Sequence, residues 1–265
     1  MGFPATDHRC GERYDDGRRD VESPRGVSTG TTVVGLAGAD GVVLAADARA
    51  SLGGRFVTNR SMRKVEPIGE TTAVAFSGGV SDAQALVDGL RTERRLYELE
   101  HDRPASTEAL ARAAAGRVRA GQVRSLWLLV GGYDDGPVLS EVGVGGGVMT
   151  SDFAATGSGM QLAYGALERS FEPDLPVTDL RPIAANAVAA AAERDTASGD
   201  GTTVATITDR GIDLERFDGL GADALAGNGR SDADLDPCGR GSDDDPNASD
   251  ETTDDDSDDA GEEVV

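Results

Sequence analysis

The chain has 265 residues and a formal net charge of −23, with 48 acidic residues against 25 basic ones. That length suits one domain with tails, and so acidic a surface repels nucleic acid and anionic membranes, which excludes both as expected partners. It has no apolar run of about 18 residues, so no membrane span is expected, and no basic-then-apolar start, so no secretory signal is expected.

Residues 1–30 are polar, rich in Gly, Pro, Arg and Asp, and without periodicity. They read as a disordered or removable leader. A β-branched run predicts a first strand over 31–36, and Asp40-Gly41 has the chemistry of a hairpin turn. Further strands are expected over 42–46, 55–58, 64–68 and 72–76. A helix follows, with Ser81 and Gln84 read as a capping box and Ala83, Leu86, Val87, Leu90 and Tyr97 on one face. A second helix starts near Ser106, with Leu110, Ala113, Ala114 and Val118 on one side.

Strands are then expected over 126–130, 138–142 and 148–153. Gly145, Gly146 and Gly147 are turn glycines in this reading, because no helix follows them as a dinucleotide fingerprint requires. Helices are expected over 160–171, with Tyr164, Leu167 and Phe171 inward, and over 178–195, capped by Thr178. The last strands cover 203–208 and 212–214. From Gly227 to Val265, 15 Asp and Glu stand against Arg230 and Arg240, so this end carries −13 of the total charge. Such a segment does not fold alone. The order is strands, two helices, strands, two helices, strands. It fits an α+β fold of two stacked sheets with helices on both outer faces.

Three counts bear on chemistry. The chain has 24 arginines and one lysine, Lys64. Arginine stays charged in proteins and carries a planar fork, whereas lysine offers a compact ammonium whose pKa can be tuned. Lys64 therefore stands out as a chemical residue, with a coding bias toward arginine as the plain alternative. There are two histidines, His8 in the leader and His101 at a helix end, both expected to be exposed. A Ser-His-Asp triad, a Cys-His dyad or a histidine zinc site is not expected. Cys10 and Cys238 lie in the polar end segments and form neither metal-ligand spacing nor a disulfide framework. The chain reads as cytoplasmic, with no metal and no cofactor. High acid content, one lysine and few aromatics fit adaptation to high salt, where the Debye length falls to about 3 Å and self-repulsion is screened.

The sequence Gly30-Thr31-Thr32-Val33-Val34-Gly35 ends the leader in glycine and opens the first strand with threonine. A threonine hydroxyl is a poor nucleophile without a base. An N-terminal threonine carries its own base in its α-amine, with an ordinary pKa of about 7.7–8. The amine exists only after the leader is cut, and Gly30 has no side chain to obstruct attack by Thr31 on its carbonyl. The plain alternative is a β-branched residue opening a strand.

Six motifs in order resemble the proteasome β-subunit family of N-terminal-nucleophile hydrolases, across about residues 30–215. Gly30 to Gly35 resembles the processing site. The stretch from Gly41 to Ser51 (GVVLAADARAS) resembles the second strand and its closing acid. Lys64-Val65 falls at the active-site lysine. Ser77-Gly78-Gly79-Val80-Ser81-Asp82-Ala83-Gln84 resembles the glycine turn before the first helix. Thr156-Gly157-Ser158-Gly159, with Tyr164-Gly165 behind it, resembles the turn before the third helix. Arg194 to Gly201 (RDTASGDG) resembles the loop after the fourth helix.

The resemblance implies a four-layer αββα sandwich and a threonine endopeptidase. Thr31 would be the nucleophile and, through its amine, the base. Lys64 would lower the pKa of the hydroxyl, and Asp47 would hold the ammonium. Ser158, Asp195 and Ser198 would surround the amine. The Gly78 N–H would be the oxyanion donor, and Arg49 would be structural. Ala50, Met62, Glu66, Phe76 and Val80 would line the primary substrate pocket, giving broad specificity with a hydrophobic preference that Glu66 softens.

It further implies a zymogen with residues 1–30 as propeptide, cut autocatalytically between Gly30 and Thr31, a hydrolase domain over 31–220 and an acidic tail over 221–265. Implied partners are α-subunits and other β-subunits in stacked heptameric rings, an ATPase acting through the α-ring, and unfolded protein substrates. Two departures stand out. The family's third threonine is Val33 here, and the span from Asp47 to Lys64 is one residue longer than usual, at Gly53-Gly54, with Arg63 as the rival basic neighbour. Alternatives are a non-catalytic structural β-type subunit, which would lack part of the Thr/Asp/Lys set, and a stand-alone N-terminal-nucleophile amidase.

Overall fold

The computed structural model describes residues 30–123, 125–227 and 229–231. Strands β1 (Thr32–Ala37) and β2 (Val42–Asp47) form an antiparallel hairpin. A small hairpin follows, β3 (Ala50–Leu52), buried at its start, and the more exposed β4 (Phe56–Asn59), turned by Gly53 and Gly54 at φ 59° and 70°. Then come β5 (Val65–Pro67), β6 (Thr72–Gly78), α1 (Val80–His101) and α2 (Thr107–Arg119). The second half runs β7 (Leu126–Tyr133), β8 (Pro137–Val142), β9 (Val148–Thr150), β10 (Phe153–Gly157), α3 (Met160–Ser170) and α4 (Val177–Ala192). It closes with β11 (Thr202–Thr208), β12 (Gly211–Phe217), α5 (Ala222–Leu225) and β13 (Arg230–Ser231).

Two larger sheets result, one ordered β10-β1-β2-β11-β12-β13 and the other β5-β6-β7-β8-β9. The first two blocks of strands feed both sheets, and the last, β11 to β13, feeds only the first. Side chains alternate between the faces of a strand, and here both faces are covered. On β1, Val33 enters the core between the sheets with Leu44, Val65, Leu129 and Ile207. Val34 and Leu36 point the other way, onto Leu167 of α3 and Leu180 and Val188 of α4. Beneath the second sheet, Val74, Phe76 and Val130 pack on Leu86 and Leu90 of α1 and Leu110 of α2. The layers are therefore helix, sheet, sheet, helix, as expected. Burial of one such Val, Leu or Phe is worth about 1.5–3 kcal/mol, so three continuous apolar clusters hold the frame. No described helix is long and apolar enough to cross a membrane.

Several local expectations are corrected. The single strand expected over 148–153 is two, β9 and β10, in different sheets. The chain breaks at Ser151-Asp152, where the Ala37 N–H donates to the Asp152 carbonyl at 2.7 Å and draws the next strand to β1. The capping box does not form. Gly79, with φ −71° and ψ 127°, is the N-cap and α1 is already under way at Ser81. Thr178 is not a cap either. α4 begins at Val177, whose N–H donates to Asp40 Oδ1 at 2.8 Å, so the β1–β2 turn supplies the missing acceptor. The Ser106 side chain does cap α2, accepting from the Ala109 N–H at 3.2 Å. Past Leu220 the described chain continues into α5 and β13, the latter pairing with β12. The remaining tail, the leader up to residue 29, His8, Cys10 and Cys238 lie outside the described residues.

Candidate active site

Strand pairing in one sheet and the stacking of the other sheet on it bring the candidate residues together. β1 lies between β10 and β2. Thr32 is paired with Gly157, so Ser158 falls beside Thr31, and Asp47 ends β2 opposite the start of β1. β11 pairs Thr202 with Asp47, which lays the 195–201 loop over the same end. Lys64 arrives from the other sheet, its carbonyl accepting from the Phe76 N–H at 3.0 Å.

Thr31 is buried ahead of β1. Its hydroxyl donates to the Gly30 carbonyl oxygen at 2.6 Å, and its N–H donates to Ser158 Oγ at 3.0 Å. The Thr31 hydroxyl is thus hydrogen-bonded to the carbonyl of the peptide bond that joins Gly30 to Thr31. Two glycines allow this approach. A Cβ on Gly157, at φ 99°, would stand 2.0 Å from the Thr31 carbonyl oxygen, and a Cβ on Gly30 would stand 1.8 Å from the Ala197 Cβ.

Asp47 accepts four hydrogen bonds. Oδ1 takes Lys64 Nζ at 2.8 Å and the Thr32 N–H at 2.9 Å. Oδ2 takes the Gly199 N–H at 2.8 Å and the Arg49 N–H at 3.1 Å. The Lys64 and Asp47 side chains are 2% and 0% exposed. Burial pushes the Lys64 pKa down and the Asp47 pKa up, each opposed by the charge of the other. The four donors and the ammonium oppose that burial and favour the carboxylate, so the arrangement suits carboxylate and ammonium. Arg63, the rival neighbour, turns away to Glu66.

A second network runs past the Thr31 nitrogen. Asp195 Oδ2 accepts from Ser158 Oγ at 2.5 Å and from Ser198 Oγ at 2.7 Å. Ser198 Oγ also lies 2.8 Å from Thr32 Oγ1. Arg49 pins the loop that carries Asp195 and Ser198. Its Nε donates to Asp200 at 2.6 Å and its Nη1 to the Thr196 carbonyl at 2.9 Å, while Arg60 donates to the other Asp200 oxygen at 2.6 Å. The hydrogen bond from Arg49 holds the Asp200 carboxyl below its usual range.

A pocket of about 240 Å³ opens beside Gly30, Gly78 and Ser158, with Trp127 and Met160 on its far wall. The residues expected to line a primary pocket lie elsewhere. Ala50 and Phe76 are buried, Met62 packs against the Phe76 cluster, and Val80 starts α1 half-buried. Glu66 is half-buried, and its carboxylate accepts from Arg63 at 3.1 Å and Arg91 at 2.9 Å. His101 is exposed and stacks on Tyr97. Among the described residues no group of three or more His, Cys, Asp and Glu could hold a metal. Sequence reasoning missed Ala197, Trp127 and Met160. For Trp127 a signal existed, since alternation along Leu126-Trp127-Leu128 puts the indole on the face opposite two buried leucines.

The family model described as "Proteasome subunit" matches residues 27–207. Among curated relatives, a proteasome subunit beta of Halorhabdus utahensis is 46% identical over 226 residues, covering 85% of this chain and 91% of the relative. A proteasome subunit beta 2 of Haloarcula marismortui is 44% identical, covering 77% and 88%. A proteasome subunit beta of Natrialba magadii is 46% identical, covering 70% and 77%. With these matches and the four-layer sandwich of N-terminal-nucleophile hydrolases, the chain belongs to the proteasome family, as a subunit of the β type.

Proposed function

We propose that this chain is a catalytic β-subunit of a 20S proteasome core particle, a threonine endopeptidase that matures by cutting its own leader. The observation that carries this reading is the Thr31 hydroxyl, 2.6 Å from the Gly30 carbonyl oxygen, with the buried Lys64–Asp47 pair tied to the next residue's N–H. In maturation the Thr31 oxygen attacks the Gly30 carbonyl carbon. The new C–O bond replaces the C–N bond, and the hydroxyl proton ends on the departing nitrogen. Water then hydrolyses the ester, leaving a Gly30 carboxylate and a free Thr31 amine.

In peptide cleavage that amine takes the hydroxyl proton and passes it to the leaving amine of the substrate. The acyl group stays on Thr31 as an ester until water releases it, with the amine again moving the proton. The positive charge of Lys64 lowers the hydroxyl pKa, and Asp47 keeps the ammonium in place. Ser158, Asp195 and Ser198 hold the amine. The Gly78 N–H faces the developing oxyanion, a kind of contact worth about 2.7–4 kcal/mol in measured cases. Complete Thr/Asp/Lys and Ser/Asp/Ser sets speak for a catalytic subunit over a structural one.

Residues 1–30 are the propeptide and 31–220 the hydrolase domain, with the acidic C-terminal segment as a solvating tail. Ala50, Met62, Glu66, Phe76 and Val80 shape an apolar acyl-side pocket in the mature enzyme, with the Glu66 charge offset by Arg63 and Arg91. The setting is the cytoplasm of a salt-adapted cell, and the partners are α- and β-subunits in stacked heptameric rings, an ATPase acting through the α-ring, and unfolded proteins. The test is N-terminal sequencing of the assembled protein with an assay on a hydrophobic fluorogenic peptide. A sequence starting at Thr31 and activity lost in Thr31→Ala are expected. A mature chain that keeps its leader overturns the mechanism, and a monomeric or dimeric active species points to a stand-alone amidase.

A further inference from the structure

The pocket at Gly30, Gly78 and Ser158 carries two large side chains that the reading above leaves without a role. Its outer wall is the Trp127 indole at the start of β7 and the Met160 thioether at the start of α3, which are 40% and 41% exposed. Trp127 is the chain's only tryptophan. Large apolar groups held this open at the mouth of a cleft mark a binding surface more than a packing need.

Sheet order fixes which side of the nucleophile this surface serves. β6 lies between β5 and β7, and it ends at Gly78. Met62 and Glu66 belong to the β5 side. Trp127 is paired with Ser77 on the β7 side, and Ser77 also lines the pocket. The two sets therefore flank Gly78 from opposite directions. A peptide with its scissile carbonyl at Gly78 and Thr31 sends the residue before the bond toward one set and the residue after it toward the other.

We propose that Trp127 and Met160 form the leaving-group subsite, which takes an apolar side chain of the residue directly after the cleaved bond. This rests on Thr31 being the nucleophile and on the β5-side residues receiving the acyl-side residue. The acyl half of the substrate stays on the Thr31 oxygen, while the amine half leaves past the indole. An apolar residue in that position gains contact with two side chains that are already exposed, and a glycine does not. Discrimination of this kind is worth about 10–200-fold for an apolar contact.

The test uses assembled, mature protein and internally quenched peptides that differ only after the scissile bond, where they carry Gly, Leu or Lys. The cleavage position is read by mass spectrometry. Wild type should cleave the Leu peptide with a kcat/KM about tenfold or more above the Gly peptide. Trp127→Ala should bring that ratio near one. Met160→Glu, which places an acid at a helix N-terminus where it is tolerated, should favour Lys over Leu. Preference before the bond, measured with Leu and Ala peptides, should be unchanged in both variants. If Trp127→Ala does not assemble, Met160→Glu decides alone. Unchanged ratios, or a shift before the bond instead of after it, overturn the subsite and leave the catalytic reading standing. Wild type that hydrolyses none of the peptides overturns both.

Discussion

Asp47 and Lys64 meet through a 2.8 Å hydrogen bond beside the start of β1, and the same Asp47 oxygen accepts from the N–H of Thr32. The acid thus ties the ammonium to the backbone of Thr32, the residue next to Thr31. Lys64→Arg keeps the charge but replaces a compact ammonium with a planar fork that cannot lose its proton. At a position 1% exposed there is no slack for the larger group. The variant should fail in both leader removal and peptide cleavage, read by mass and by fluorogenic assay. Normal maturation would return Lys64 to an accident of coding.

The same pair predicts a stability cycle. Asp47→Ala strands Lys64 and three backbone N–H groups inside the protein. Breaking a buried pair from one side costs about 3–5 kcal/mol. Lys64→Met strands the carboxylate in turn. The double variant removes both charges, so its loss should fall short of the summed single losses by about 0.5–3 kcal/mol. Denaturant unfolding at fixed high salt measures each corner. Strict additivity would mean that the two groups do not act as a pair.

Burial narrows the pH range of this pair from both ends. The Asp47 pKa is raised above 3.8, so the folded state holds the extra proton between 3.8 and the folded value. The contribution of Asp47 to stability is present at lower pH and is lost as pH rises through the folded value. The Lys64 pKa is lowered below 10.5, so its contribution is present above 10.5 and is lost as pH falls through the folded value. In the proposed mechanism, activity needs the charged pair. The rate should therefore show an acid limb above the ordinary carboxylate range and an alkaline limb below the ordinary lysine range. Asp47→Asn should abolish the acid limb along with most of the rate. A profile flat across both regions would separate the pair from catalysis.

Why residues that meet in the candidate site could be picked out in the sequence, while parts of the fold could not, comes down to distance along the chain. Thr31, Asp47 and Lys64 each stand out by their own identity and neighbours; antiparallel pairing then places the first two, and the facing sheet brings Lys64 to them. The helix starts were misread because their acceptors are remote. The local Ser81 and Thr178 side chains looked sufficient, yet α4 is met by Asp40, 137 residues away. The split of β9 from β10 is similar. Ser151-Asp152 carries no strong turn signal, and the break is set by Ala37 on another strand. Ala197 escaped notice because an alanine announces nothing until Gly30 is seen against it.

That last contact supports the most discriminating prediction. Gly30 suits the leader end for a reason beyond easy attack at its carbonyl, since any side chain there would collide with the Ala197 methyl group. Gly30→Ala should displace the scissile carbonyl from the Thr31 hydroxyl and slow leader removal strongly. Ala197→Gly alone should mature normally, because Ala197 makes its described hydrogen bond through its backbone, to Asp195. Combining the two substitutions restores the space, so maturation should recover toward the wild-type rate. Intact-mass kinetics on the four proteins provide the measurement. If Gly30→Ala is slow and Ala197→Gly does not rescue it, the block lies in the chemistry of the carbonyl and not in its position.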